Sequence, residues 1–83
     1  MVEPAQIRAA RGLLALSQVE LAEMASISVA SVKRLETAAG VRGAAETLWK
    51  IQKALEAAGV EFIPEEAGRG PGVRLKQASN ARR

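Results

Sequence analysis

Two helix starts only eleven residues apart constrain this chain more than any other feature of its sequence. Ser17 and Ser28 each precede a short run with apolar residues at helical spacing, and only Ala25, Ser26 and Ile27 separate the two runs. A connection this short does not let two helices lie side by side, so the second helix must leave the first at a steep angle. The sequence therefore predicts two short helices that cross steeply.

The residues at both starts are typical of helix N-termini. Ser17 and Glu20 fit the capping box S-x-x-E, in which each side chain accepts a hydrogen bond from the backbone N–H of the other residue. Ser28 is a second N-cap, although Ser31 cannot complete a box there. These local signals predict helices that begin at residues 17 and 28, the second running to residue 37.

Helical spacing also occurs on both sides of this pair, and the pattern changes near residue 60. Pro4 suits the first turn of a leading helix. A fourth helix is predicted over about residues 44–58, with Gly59 ending it. Residues 60–63 and 73–76 then read as two short strands, joined by a turn rich in glycine and proline.

The fold class expected from these elements is mainly α, with four to five helices and a C-terminal two-stranded β-hairpin. We divide the chain into a helical domain at 1–58, the hairpin extension at 59–77 and a basic disordered tail at 78–83. Trp49 stands one step off the apolar stripe of the fourth helix, and we expect it to pack in the core or on the hairpin. The side chains predicted to form the core are Leu21, Ile27, Val32, Leu35, Leu48, Ile51 and Leu55.

Composition narrows the classes of function. The 83 residues include no cysteine and no histidine, which excludes disulfides and thiol nucleophiles and leaves carboxylates as the ordinary metal ligands. We expect no metal, no cofactor and no enzymatic activity, because the carboxylates are scattered and no nucleophile or phosphate-loop motif occurs. No stretch predicts a signal peptide or a membrane span, so a cytoplasmic protein is expected.

Charge is distributed unevenly along the chain. The net charge is +3, and residues 67–83 contain five basic side chains and no acid. Residues 1–66 contain the other seven basic side chains and all nine acids. The basic segment is interpreted either as a solvated tail or as an arm that strengthens binding to phosphate.

One face of the helix at 28–37 is suited to DNA. At 100° per residue, Ala30, Lys33 and Arg34 point away from the side that carries Val32 and Leu35. Small residues followed by two cations allow a helix to lie deep in the major groove, with its first-turn N–H groups near phosphate or base edges. Lys33 and Arg34 can reach phosphates or guanine O6 and N7.

The stretch SQVELAEMASISVASVKRLE at 17–36 resembles the helix-turn-helix of the lambda-repressor and Cro type, the xenobiotic response element family of regulators. The resemblance covers about residues 5–58, and the segment GVEFIPEEAGRGPGVRL is similar to an extension of some small bacterial members. It implies five short helices or fewer, binding to double-stranded DNA as a homodimer, and control of transcription, with repression the expected outcome.

The resemblance also implies roles for single residues. Gln18 corresponds to a glutamine that touches phosphate and braces the third helix, and Arg11 with Glu36 corresponds to a pair that bridges the first helix to the end of the third. The positions predicted to contact DNA are Gln18, Ser28, Val29, Ala30, Ser31, Lys33, Arg34 and Arg42.

Two positions depart from the family pattern. Ser26 replaces the usual turn glycine, and a left-handed backbone there costs about 1 kcal/mol or more. Val29 and Ala30 occupy base-facing positions without hydrogen-bonding groups, although they suit thymine methyls. We therefore expect most of the affinity to come from phosphates and a few base edges.

The small core and the apolar hairpin face predict a homodimer, with the fourth helix or residues 60–76 at the interface.

The alternative to DNA binding is a protein-interaction module of the same fold, such as an antitoxin, which would bind its partner through the hairpin or the basic tail.

Overall fold

The computed structural model describes residues 2–37 and 45–77 of the protein. Within these ranges the chain is mainly helical and ends in one antiparallel pair of strands. The elements are α1 (Pro4–Leu14), α2 (Gln18–Ala25), α3 (Val29–Thr37), α4 (Ala45–Ala57), β1 (Val60–Ile63) and β2 (Gly72–Leu75). None of the helices described in these ranges is long and apolar enough to cross a membrane.

The helix starts follow the local chemistry. Pro4 opens α1, and the backbone N–H of Glu3 donates to Gln6 Oε1 at 2.8 Å. At α2, Glu20 N donates to Ser17 Oγ at 3.0 Å and Ser17 N donates to Glu20 Oε1 at 2.8 Å, so both predicted bonds of the capping box are present. These contacts fix the starts of α1 and α2 before any tertiary packing is considered.

Ser26 forms the sharp turn between α2 and α3. Its backbone is left-handed, with φ 59°, and its N–H donates to the carbonyl of Glu23 at 3.3 Å. The turn thus keeps the geometry that a glycine would take without strain, and the serine carries the steric cost of the left-handed conformation.

The hairpin pairs β1 and β2 in antiparallel register. Glu61 lies opposite Arg74, and Arg74 Nε donates to Glu61 Oε1 at 3.0 Å on the exposed face. The second strand is Gly72–Leu75, one residue earlier than predicted, because Gly72 pairs with Ile63 at the turn end of the ladder. The hairpin lies against α1 and α4, and Val60 is buried in the same core as the helices.

The core contains most of the predicted side chains. Two of the seven, Ile27 and Leu48, are only half-buried, because Ile27 lies in the turn and Leu48 in the first turn of α4, where fewer neighbours surround a side chain. Among the described residues, the buried core also contains six side chains that were not predicted: Val2, Ile7, Ala10, Ala22, Ala25 and Val60. The predicted residues that are fully buried are Leu21, Val32, Leu35, Ile51 and Leu55.

The prediction that Trp49 packs in the core or on the hairpin is wrong. Its side chain is 58% exposed and does not join the core or the hairpin packing. Two residues along a helix correspond to about 200°, so Trp49 points almost opposite to the fully buried Ile51. Lys53 Nζ lies 5.8 Å from the centre of the indole ring, on the same side of α4.

Candidate nucleic-acid interface

The outer face of α3 is exposed and the inner face is buried. Ala30, Lys33 and Arg34 are exposed, whereas Val32 is 0% and Leu35 is 2% exposed. The two buried residues hold α3 against α1 and α2, the elements that it packs on. The two cations are therefore presented to solvent by a helix whose position is set by its apolar side.

The first turn of α3 is organised by Ser28. Its Oγ accepts a hydrogen bond from Ser31 N at 3.1 Å, which is the N-cap contact, and its hydroxyl donates to Ser31 Oγ at 2.9 Å. Arg34 Nη2 donates to the same Ser31 Oγ at 3.4 Å. Ser28, Ser31 and Arg34 thus form one hydrogen-bonded polar row along the helix, in which Ser28 and Arg34 are exposed and Ser31 is half-buried.

The other two predicted base-facing residues lie beside this row. Ala30 is exposed and Val29 is half-buried, with part of its side chain packed against the core. Both follow Ser28 directly, where the first N–H groups of a helix have no intrahelical acceptor. The side chains of Ser28, Val29 and Ala30 are short, so they let a ligand come close to the backbone at this end of α3.

Glu36 lies at the opposite end of α3 and is almost fully buried, at 1% exposed. Its Oε2 accepts from Arg11 Nε at 2.7 Å, and its Oε1 accepts from Arg11 Nη2 at 3.1 Å. Gln18 Nε2 donates to the same Oε1 at 3.0 Å. One carboxylate therefore joins α1, α2 and α3, with both oxygens hydrogen-bonded.

Arg11 is held in this position by more than one contact. Its Nη1 donates to the carbonyl of Leu16 at 2.9 Å, at the connection between α1 and α2. The hydrogen bond to Glu36 raises the pKa of Arg11, partial burial lowers it, and the charge of Glu36 raises it further, with a net rise. The guanidinium therefore stays charged at neutral pH, and the buried carboxylate keeps its counter-ion.

This network sets the charge of the α3 surface. Glu36 is the only acid within Val29–Thr37, and it is buried and paired, so the exposed charges of α3 are Lys33 and Arg34. An exposed glutamate one turn from these cations would have weakened their attraction for phosphate. Because Glu36 is buried, the exposed charges on this face of α3 are all positive.

Gln18 is placed so that its side chain can contact both Glu36 and a ligand at the surface. It is half-buried at the first residue of α2, and one N–H of its amide is used on Glu36. A primary amide has a second N–H and an acceptor oxygen, so the side chain retains hydrogen-bonding capacity for a ligand at the surface. Arg42, the remaining predicted contact, lies outside the described residues.

Two side chains that hold elements of the fold together were not predicted. Arg8 Nη1 donates to the backbone carbonyl of Glu36, so α1 contacts the last turn of α3 through Arg8 as well as Arg11. Gln6 is 5% exposed, and its Nε2 donates to the carbonyl of Gly72 at 2.8 Å. The spacing of Glu3 and Gln6 is that of a capping box and was a readable signal, whereas nothing near Arg8 in the sequence indicates its partner.

An open cleft of about 550 Å³ lies elsewhere, between the start of α1, α4 and the hairpin. Its lining includes Glu3, Gln52, Phe62 and Glu65, and no residue of α3 contributes to it. Among the described residues no group of three or more acidic side chains is placed to hold a metal ion. The α3 face therefore stands apart from this cleft.

Comparison with known protein families gives one match. A family model described as a helix-turn-helix matches residues 7–62, which is more than half of the chain. The matched segment begins inside α1, contains α2 and α3 completely, and ends within β1. No curated protein matches the chain.

Proposed function

The chain belongs to the helix-turn-helix family of DNA-binding regulators of the lambda-repressor and Cro type, and from this premise we propose that it represses transcription as a homodimer that inserts α3 into the major groove. Proteins of this family are generally regulators and not enzymes. The proposal concerns which residues bind DNA, how two copies assemble, and what regulatory effect results.

One observation carries the proposal: the only acid of α3 is removed from its outer face. Glu36 is 1% exposed and paired with Arg11, while Lys33 and Arg34 remain exposed. A surface of single positive sign on a short, otherwise small-faced helix matches the charge and the width of a major groove.

The proposed contacts divide into phosphate and base contacts. Arg34 reads guanine O6 and N7, and Lys33 neutralises a phosphate. Ser28 and Ser31 contact base edges or backbone at the first turn, and Gln18 donates its second amide N–H to a phosphate. These roles are supported by the polar row that starts at Ser28 and by the second N–H and the oxygen of the Gln18 amide, which its hydrogen bond to Glu36 does not use.

Val29 and Ala30 belong to the proposed DNA-binding surface because their side chains are small. Their short side chains let α3 approach the groove floor and touch thymine methyl groups. Neither side chain offers a hydrogen bond, so base readout is carried by few residues, and phosphate contacts supply most of the affinity. Arg42 is assigned a phosphate contact by its charge and its place after α3 in the sequence.

The dimer follows from the geometry of DNA. One α3 covers a few base pairs, and two copies related by a two-fold axis reach half-sites about 34 Å apart, one turn of the duplex. A homodimer bound across a promoter excludes polymerase from the same DNA, which is the basis for proposing repression.

Selection of bound sequences from a random DNA pool tests the function. We expect an enriched sequence with two-fold symmetry, and binding that weakens steeply as salt increases, because counterions are released from phosphates. A reporter gene with the selected site at its promoter should be repressed when the protein is present. Absence of any DNA binding at low salt would overturn the proposal and favour the protein-interaction alternative.

A further inference from the structure

The cleft between the start of α1, α4 and the hairpin combines apolar side chains with acidic ones. Its volume of about 550 Å³ lies within the range of small-molecule sites in proteins. The apolar residues that line it are Val2, Phe62, Ile63, Pro64 and Pro71. The other lining residues are two carboxylates and two amides, namely Glu3, Glu65, Gln6 and Gln52. We call these nine residues the α1–hairpin cleft, and none of them is basic.

The two carboxylates of the cleft have no counter-ion among the described residues. Every ion pair in the described part of the chain uses another acid, and these acids are Glu36, Glu46, Glu56 and Glu61. Glu3 and Glu65 reach the cleft from two different elements, the start of α1 and the turn of the hairpin, and both are exposed. Two like charges beside apolar walls produce a negative potential, although the net charge of the chain is +3. The cleft therefore attracts cations.

Phe62 makes the cleft better suited to an organic cation than to a metal ion. Its half-buried side chain lines the cleft together with the apolar residues. The face of an aromatic ring attracts ammonium groups, and apolar walls bind hydrocarbon. A calcium or magnesium ion instead needs several oxygen ligands, and no group of three or more acidic side chains in the described ranges is placed to supply them. The lining thus fits a ligand with both a positive charge and an apolar body.

The walls of the cleft are held together without the help of either carboxylate. Gln6 Nε2 donates to the carbonyl of Gly72 at 2.8 Å and to that of Ile63 at 3.4 Å. Gln6 Oε1 accepts from the backbone N–H of Glu3 at 2.8 Å. The Gln6 amide therefore ties the hairpin to the start of α1, and the cleft is preformed, so that a ligand need not order its walls.

We propose that the α1–hairpin cleft binds a small organic cation, an ammonium group attached to an apolar body. The ammonium group pairs with Glu3 and Glu65, and the apolar body packs on Phe62. The carboxylates would repel an anion, and a neutral compound would leave them without a counter-charge. The inference goes beyond the proposed function, because no residue of α3 lines the cleft and binding there does not depend on DNA.

Three probes with similar apolar bodies test the class of ligand. They are benzylammonium, the neutral benzyl alcohol and the anionic benzoate. We expect benzylammonium to shift the backbone amide NMR signals of the cleft residues until saturation, with a dissociation constant of about 1 mM. Benzyl alcohol should bind about tenfold more weakly, because it pairs with neither carboxylate, and benzoate should not bind. Ammonium chloride at the same ionic strength is the control and should cause no saturable shift.

Neutralising the carboxylates tests which residues recognise the charge. Glu3→Gln and Glu65→Gln should each raise the dissociation constant of benzylammonium about threefold to fivefold, and the double variant about tenfold. Benzyl alcohol should bind these variants with unchanged affinity, which a general disturbance of the cleft would not allow. Glu23→Gln is the matched control, because Glu23 is exposed on α2 and does not line the cleft. Circular dichroism and melting curves check that each variant is folded.

The outcomes separate this inference from the proposed function, because none of the measurements uses DNA. Preference for benzylammonium over benzyl alcohol that disappears in the double variant and persists in Glu23→Gln would support the cation site. Equal binding of the ammonium and the alcohol, shifts confined to residues outside the cleft, or an equal loss in Glu23→Gln would overturn it. The absence of any saturable shift at tens of millimolar benzylammonium would overturn it as well, and DNA binding by α3 would be unaffected.

Discussion

Arg11 Nε donates a hydrogen bond of 2.7 Å to Glu36 Oε2, and this pair joins the first helix to the end of the third. The two side chains are unequally buried, with 23% of the Arg11 side chain and 1% of the Glu36 side chain exposed. The pair thus combines a guanidinium that can reach water with a carboxylate that cannot. This inequality predicts unequal costs for removing the two partners.

Arg11→Met should destabilise the fold by about 3–5 kcal/mol, because it leaves a buried carboxylate without its counter-ion. Glu36→Gln should cost clearly less, because the partly exposed guanidinium of Arg11 can be hydrated. Urea denaturation of both single variants and the double variant measures the costs and their coupling. Additive effects of the two substitutions would show that the pair does not stabilise the fold as a unit.

Leu35→Ala should lower the free energy of unfolding by about 2–5 kcal/mol, because Leu35 is buried where α3 meets the core and its loss leaves a cavity. Leu13→Ala is the matched control, since Leu13 is 46% exposed near the end of α1 and its replacement should cost well under 1 kcal/mol. Thermal melting and urea titration compare the two. Equal melting curves for Leu35→Ala and the unsubstituted protein would contradict the packing of α3 described above.

Ser26→Gly should stabilise the protein by about 0.5–1 kcal/mol, because glycine adopts the left-handed backbone at φ 59° without steric cost. Gly59→Ala provides the opposite case, because Gly59 has φ 114° and a side chain is strained there. We expect a raised midpoint of thermal unfolding for the first variant and a lowered one for the second. A lower midpoint for Ser26→Gly would mean that the serine side chain stabilises the turn by more than its strain.

Gln6→Ala should destabilise the protein by about 1–3 kcal/mol, because the half-buried Gly72 carbonyl loses its donor and the hairpin loses a link to α1. Amide hydrogen exchange should rise in β1 and β2 more than in α2 and α3. Gln52→Ala is the control, since the Gln52 amide donates to Glu56 within the same helix at 3.2 Å. Uniform exchange throughout the chain after Gln6→Ala would argue against a local role in holding the hairpin.

Arg34→Ala should weaken binding to the selected DNA site by about 1–3 kcal/mol and relax the preference at one base pair. Lys33→Ala should weaken binding to selected and random DNA alike and reduce the salt slope by about one. Arg74→Ala removes the same charge from the hairpin and should change neither quantity by a comparable amount. Binding isotherms at several salt concentrations distinguish these results, and unchanged binding in both α3 variants would remove α3 as the recognition helix.

The local architecture around α2 and α3 can be read from the sequence alone. Capping at Ser17 and Ser28 depends on residues three positions apart, and the burial of Leu21, Val32 and Leu35 follows from helical periodicity. Such signals lie within one or two turns, so they can be read without knowing where distant segments lie. The bridge between Arg11 and Glu36 was expected from family resemblance, since nothing in the local pattern relates two charges 25 residues apart.

The packing of the whole chain determines which polar groups complete the core and which apolar group stays outside it. Gln6 meets a hairpin carbonyl 66 residues away, and Gln18 and Arg8 converge on Glu36 from two other helices. Trp49 remains exposed because Ile51 and Leu55 already fill the side of α4 that faces the core. Buried polar groups must find partners wherever the packed elements bring donors and acceptors together, and that geometry is set by the whole fold and not by neighbours in sequence.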